Sequence, residues 1–243
     1  MSMRTPNPAH SVIADLAPRG VLRASINLGN TVLAQGTPAD PAGVTVDIAR
    51  EVATRLELPL ELVCFGAARR SFEAMMKDEA DICFLAIEPA RAAEVAFTAP
   101  YVLIEGVYAV PTDAPFAVAT DVDKDGVRVG VKRGSAYDLF LTRTLENATI
   151  VRSDEDTGVP VGDHLDVVAG IREQLTEFVS ANPGWRLIDD RFMEIQQAVG
   201  APKTRSLATV RFLSDLVEEL KASGFVAESL RRSGQSAPVA PPA

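Results

Sequence analysis

Residues 81–101 read DICFLAIEPARAAEVAFTAPY, and the fold is decided by how this stretch is parsed. The apolar run Ile82–Ile87 is too short for a membrane helix and has the length of a strand buried on both faces of a parallel sheet. Glu88-Pro89-Ala90-Arg91 follows, with Pro89 suited to the first turn of a new helix. Val95-Ala96-Phe97-Thr98 then leads to Pro100-Tyr101. A strand that stops where a helix begins puts Ala86, Glu88 and Arg91 at the carboxyl edge of a sheet. Open α/β sheets bind ligands at that edge, and an arginine beside peptide N–H groups suits an anion. The plainer alternative is a solvated arginine in a surface turn.

Working back toward the N-terminus, Gly20–Ile26 reads as a strand that ends in the loop Asn27-Leu28-Gly29-Asn30. Asn and Gly there are also ordinary turn residues. Residues 31–42 form a loop or small hairpin. From Gly43, Val46, Ala49, Val52, Ala53 and Leu56 recur at helical spacing, so that face is core. Asp47 sits in the first turn, where a carboxylate complements the helix dipole, and is read as structural. Leu60–Phe65 is a further strand, and Phe65 closes it near the edge that holds Arg91, facing ligand or core. A helix over Ala67–Lys77 carries a Met/Phe core face. Strands and helices thus alternate through the first hundred residues, as in a parallel sheet with both faces covered.

Toward the C-terminus, Leu103–Pro111 is a strand and Gly126–Val131 another. The latter exits through Gly134-Ser135-Ala136 into a helix running to about Leu145. Such a turn exposes N–H groups and a hydroxyl that can meet an anion, or Ser135 simply caps its helix. The acidic run Ser153–Asp163 reads as exposed. Arg172 and Glu173 follow at the start of a helix. Trp185–Ile188 reads as a short strand. Two amphipathic helices occupy about 207–223 and 225–232. Residues 233–243, SGQSAPVAPPA, have the composition of a disordered tail.

The 243 residues carry a formal net charge of −9, which argues against a nucleic-acid surface. No stretch has the ~20 apolar residues of a membrane span. The first twenty residues lack the apolar core of a secretory signal, so the chain as written reads as cytoplasmic, and as periplasmic if a leader was removed. Cys64 and Cys83 lie in apolar runs and read as buried thiols; with only His10 and His164 besides, both in expected loops, no metal cluster, cofactor site or Ser-His-Asp site is indicated.

The central stretch resembles the segment "strand, T-x-E-R, v-x-F-S/T-x-P-Y" of the family 3 bacterial solute-binding proteins, the receptors of ABC importers. The family's arginine falls on Arg91, and its F-T-x-P-Y on Phe97, Thr98, Pro100 and Tyr101. Gly43-Val44-Thr45-Val46-Asp47-Ile48-Ala49 resembles its G-x-x-x-D-x-A, and the likeness extends from about Gly20 to about Gly234. It implies the type 2 periplasmic-binding-protein fold: two Rossmann-like α/β lobes joined by two crossing strands. Lobe one would comprise 1–109 and 196–243, lobe two 110–195, with a ligand in the interlobe cleft. By the same resemblance, Gly134, Ser135 and Ala136 would donate to a ligand carboxylate.

Two departures bear on the ligand. The family's first loop supplies an acid and an aromatic; Asn27 and Asn30 stand there instead. The acid that holds an α-ammonium in amino-acid receptors falls on Ile171 or Arg172. An α-amino acid would leave its ammonium without a counter-charge, whereas arginines from two lobes suit two anionic groups. The resemblance therefore implies a monomeric, non-enzymatic binder of a small carboxylate-bearing molecule, amino-acid-like or organic acid, partnered by an ABC permease. The alternatives are a cyclohexadienyl-dehydratase-like enzyme, with Glu88 or Glu173 as general acid, and a cytoplasmic sensor.

Overall fold

The computed structural model describes residues 8–153 and 165–243. The acidic run after Ser153 and His164 lie outside the described residues. His10 belongs to a helix rather than a loop. In chain order the elements are α1 (Pro8–Leu16), β1 (Leu22–Asn27), β2 (Gln35–Thr37), β3 (Asp40–Ala42), α2 (Val44–Arg55), β4 (Leu60–Phe65), α3 (Ala68–Met76), β5 (Ile82–Ala86), α4 (Pro89–Ala92) and β6 (Val95–Pro111). They continue with β7 (Arg128–Lys132), α5 (Ala136–Thr144), β8 (Thr149–Ser153), β9 (Val167–Ile171), α6 (Arg172–Ala181), β10 (Trp185–Leu187), β11 (Met193–Pro202), α7 (Leu207–Ala222) and α8 (Phe225–Arg232).

The chain divides into two units: residues 1–65, 70–102 and 197–243 form one, and 66–69 with 103–196 the other. The chain leaves the first along β6 and returns along β11. In unit one β1 lies between β4 and β5, parallel to both, and β11 pairs antiparallel with β5. All five residues of β5 are buried, as expected of a strand covered on both faces. Arg23 on β1 and Asp81 just before β5 are buried and joined by Nε–Oδ2 and Nη2–Oδ1 bonds of 3.1 and 2.6 Å. Removing either partner leaves a buried charge uncompensated, at a cost of about 3–5 kcal/mol. Asp47 accepts from Ser229 Oγ and Arg232 at 2.6 and 2.8 Å, which ties α2 to α8 and makes its role structural.

In unit two, β9 pairs antiparallel with β6 and parallel with β7, β8 lies parallel on the other side of β7, and β10 pairs with β6. Val107, Ala109, Leu165, Val168 and Leu175 form its core, with Phe178 and Trp185 packed against them. Gly106 is needed for close approach: a Cβ there would meet Met193 at 2.6 Å and Phe192 at 3.0 Å. Phe192 stacks on Tyr108, ring centroids 4.3 Å apart.

The C-terminal segment departs from the sequence expectation. Residues 233–243 are not a loose tail: Val239 forms an antiparallel bridge with Val102, and Ala240 N–H donates to Tyr101 O at 3.1 Å. Ala237 and Ala240 are buried. Lys221 Nζ, on α7, donates to both Pro100 O and Pro241 O, at 3.2 and 2.9 Å. Pro, Ala and Ser composition favours disorder, but backbone pairing at a sheet edge needs only exposed N–H and C=O groups on both sides.

Candidate functional site

In unit one the parallel strands β4, β1 and β5 end side by side. The ladder pairs Asn27 with Phe65, and Ser25 with Cys83, so Asn27 stands level with the last residues of β5. Phe65 is half-buried and its carbonyl accepts from Leu28 N–H at 2.8 Å. The carboxyl edge therefore gathers Phe65, Asn27, Asn30, Ala86, Glu88 and Arg91, as the strand-turn-helix reading implies.

Arg91 does not point into bulk solvent: it is only 3 % exposed, which removes the surface-turn reading. Its Nη1 donates to Ala86 O at 3.3 Å, and its backbone N–H closes the α4 turn on Glu88 O at 2.9 Å. Burial pulls its pKa down to about 10, against the opposing fields of Cys83 and Glu88. Loss of solvation is the largest influence on the group, with the fields of Cys83 and Glu88 opposing it. Glu88 is buried as well, at the N-cap of α4, and its side chain does not cap that helix.

The Asn27–Asn30 loop uses its amides in a defined way. Asn27 Oδ1 accepts from Gly29 N–H at 3.0 Å, and Asn30 Oδ1 from Val32 N–H at 3.3 Å. Neither Nδ2 has a hydrogen bond to the described residues. The expectation of paired donors and acceptors is thus altered: the oxygens are engaged within the loop, and the –NH₂ groups are what remain.

Sequence reasoning missed Gln197. It is buried and pairs directly with Ala86 across the β11–β5 ladder. A Gln-Gln pair interrupting the apolar run of β11 was the available signal.

In unit two the Gly134–Ser135 turn is largely satisfied from within. Gly134 N–H donates to Asp138 Oδ2 at 2.8 Å, Ser135 N–H to Lys132 O at 3.1 Å, and Ser135 Oγ accepts from Asp138 N–H at 3.0 Å. Ser135 is the N-cap of α5, and Arg152 Nε in turn holds the buried Asp138 at 2.9 Å. Ala136 N–H, at the first position of the helix, takes no partner among the described residues.

Arg172 is also placed otherwise than expected. Its Nε donates to Glu105 Oε2 at 2.5 Å and its Nη2 to Asp189 O at 2.7 Å. Arg191 approaches the same Glu105 at 3.4 Å. Glu173, next along, is half-buried, and its Oε2 lacks a hydrogen-bond partner among the described residues. Burial raises its pKa, the field of Arg172 opposing. Cys83 is buried and its thiol pushed up to about 12, while Cys64 is only half-buried. Among the described residues no cluster of metal-ligating side chains occurs and no helix is long and apolar enough to cross a membrane.

Comparison with known proteins fits this architecture. The sequence profile of the bacterial extracellular solute-binding proteins, family 3, matches residues 32–234. Similar solved structures include a mutant of ArgBP from T. maritima (21% identity, 92% of this chain and 99% of that one, TM-score 0.72). The cysteine-binding protein from Campylobacter jejuni is similar too (18% identity, 92% of each chain, TM-score 0.75). So is the ancestral amino-acid-binding protein AncCDT-1, a precursor of cyclohexadienyl dehydratase (18% identity, 91% and 99%, TM-score 0.73). No curated protein matches the chain in sequence. The two-lobed type 2 periplasmic binding fold is shared with these structures.

Proposed function

The chain belongs to the family 3 bacterial extracellular solute-binding proteins, and from that premise we propose that it captures a small carboxylate-bearing solute and delivers it to an ABC-type permease. The observation that carries the proposal is the burial of Arg91 at the carboxyl edge of β5, where desolvation dominates its environment. A guanidinium so placed gains from a carboxylate that accepts two parallel N–H bonds. Phe65 and Ala86 would supply apolar contact and Gln197 a neutral polar one. Within unit two, Ala136 N–H is the backbone donor left over at its own turn, because Gly134 and Ser135 spend their N–H groups on Asp138 and Lys132. Arg172 is left out of the contact set, since Glu105 and Asp189 already hold its guanidinium. Isothermal calorimetry against a panel of amino acids, 2-oxo acids and dicarboxylates tests the reading. Saturable binding by at least one carboxylate, lost in Arg91→Ala, supports it; no binding by any member ends it.

One observation favours a second reading. Glu173 combines a buried oxygen without a hydrogen-bond partner with a pKa raised by burial. A raised pKa moves a carboxyl group in the direction that a general acid requires. On this reading the protein eliminates water and CO₂ from a prephenate-like diacid. Incubation with prephenate and arogenate, followed by product absorbance, decides it: turnover abolished in Glu173→Gln supports the enzyme, and no turnover removes it.

A further inference from the structure

Resting on the carboxylate reading above, we infer that the solute carries no α-ammonium group: unit one is built to donate hydrogen bonds to an oxygen-rich acid, of the 2-oxo or 2-hydroxy class, rather than to hold an amino acid.

The first observation is the polarity of the β1 loop. An asparagine's amide orientation follows from its hydrogen-bond partners. Gly29 N–H and Val32 N–H are both donors, so Oδ1 of Asn27 and of Asn30 must face them. Each Nδ2 is thereby turned away from the loop backbone. Asn27 stands in register with Phe65 on one side and with the end of β5 on the other. Two amide –NH₂ groups and the Arg91 guanidinium thus share one sheet edge, and each of them only donates.

The second observation concerns negative charge. An ammonium placed at this edge needs a carboxylate, because an uncompensated buried cation is costly. The acid at this edge is Glu88, and its field already acts on Arg91. Asp47 is taken by Ser229 and Arg232, and Asp81 by Arg23, at the opposite end of β5. Gln197 is neutral. An ammonium would therefore compete with Arg91 for Glu88 while facing two amide donors that repel it. A carbonyl or hydroxyl oxygen in the same place accepts from Asn27 or Asn30 and asks for no counter-charge.

Matched trios that share a side chain and differ only at Cα separate the cases: alanine, pyruvate and lactate; aspartate, oxaloacetate and malate; glutamate, 2-oxoglutarate and 2-hydroxyglutarate; phenylalanine, phenylpyruvate and phenyllactate. Full-length protein is titrated with each by calorimetry. The expected result is that, in every trio that binds, an amine-free member binds at least tenfold tighter than the amino acid. Asn27→Asp supplies the second measurement. Aspartate accepts from Gly29 N–H as asparagine does, so the turn survives while a charge is added. It should shift the ratio toward the amino acid by tenfold or more. If the amino acid is the tightest member, or Asn27→Asp leaves the ratio unchanged, the inference falls while the carboxylate reading stands. If no member of any trio binds, both fall together.

Discussion

Arg91 and Arg172 occupy comparable places in the two units. Each stands in a short stretch that leaves a buried strand and enters a helix, β5 to α4 in one case and β9 to α6 in the other. From sequence they look like equivalent arms of a clamp. Their surroundings differ. Arg91 is buried, with a pKa pulled down by desolvation. Arg172 is about one-third exposed and locked against Glu105, with a carbonyl as second acceptor. The difference teaches that two arginines at like places in a sequence pattern can differ in burial and in what holds them. Glu105 lies on β6, far from α6 in sequence, and no local pattern around residue 172 announces it.

That contrast can be broken most sharply by substitution. Arg91→Ala should weaken carboxylate binding by about a hundredfold or more, the loss expected for a buried charge-assisted bidentate contact. Arg172→Ala should leave affinity within about threefold, since exposed pairs contribute little. Calorimetry on both variants is decisive: an equal loss in each would erase the distinction between the two arginines.

The pH dependence is the next largest effect. Arg91 has a folded pKa lowered to about 10. Below that value the guanidinium is charged and can hold a carboxylate; above it the folded protein loses the proton before the unfolded chain does. Affinity should therefore be flat through neutrality and fall by roughly tenfold per pH unit once pH passes the Arg91 pKa. By the same linkage, the ligand-free protein gains stability from this group as pH rises from about 10 toward the unfolded value. A binding curve that stays level to pH 11.5 would contradict the assignment.

Smaller effects sharpen the picture of unit two. Glu105→Gln should lower stability by no more than about 1 kcal/mol, as for partly exposed ion pairs, read by chemical denaturation. Glu173→Gln should change stability least. It removes a carboxyl group whose folded pKa is raised, so a stabilisation of under about 1 kcal/mol is expected where that group is ionised, shrinking as pH falls through the folded pKa and gone below the unfolded one. A marked destabilisation would show that the carboxylate is held by a partner instead.

The parallel-sheet edge was legible in the sequence because its signals are local. An apolar run, Pro89 at a helix start and the Asn-Leu-Gly-Asn loop each act within a few residues. The same holds for Ser135, where a Ser before a helix is a cap signal and the structure shows that cap. What could not be read were commitments made over distance or through the backbone. The N–H groups of Gly134 and Ser135 are already engaged, by Asp138 and by Lys132 O. The orientation of the Asn27 and Asn30 amides depends on turns that either amide orientation would fit on paper. Gln197 joins the edge only because β11 returns beside β5, a pairing of residues more than a hundred positions apart.

The seating of the last residues has a practical consequence. Ala243 N–H reaches Glu218 Oε2 at 3.3 Å, and Lys221 grips the carbonyl two residues earlier in the chain. A reporter dye or affinity handle fused there would be mounted on a hemmed border, and would sense the body of unit one rather than swing freely. Hydrogen–deuterium exchange offers a direct view: the Ala240 amide should exchange as slowly as those of a woven strand, in a stretch whose composition suggests an unravelled end.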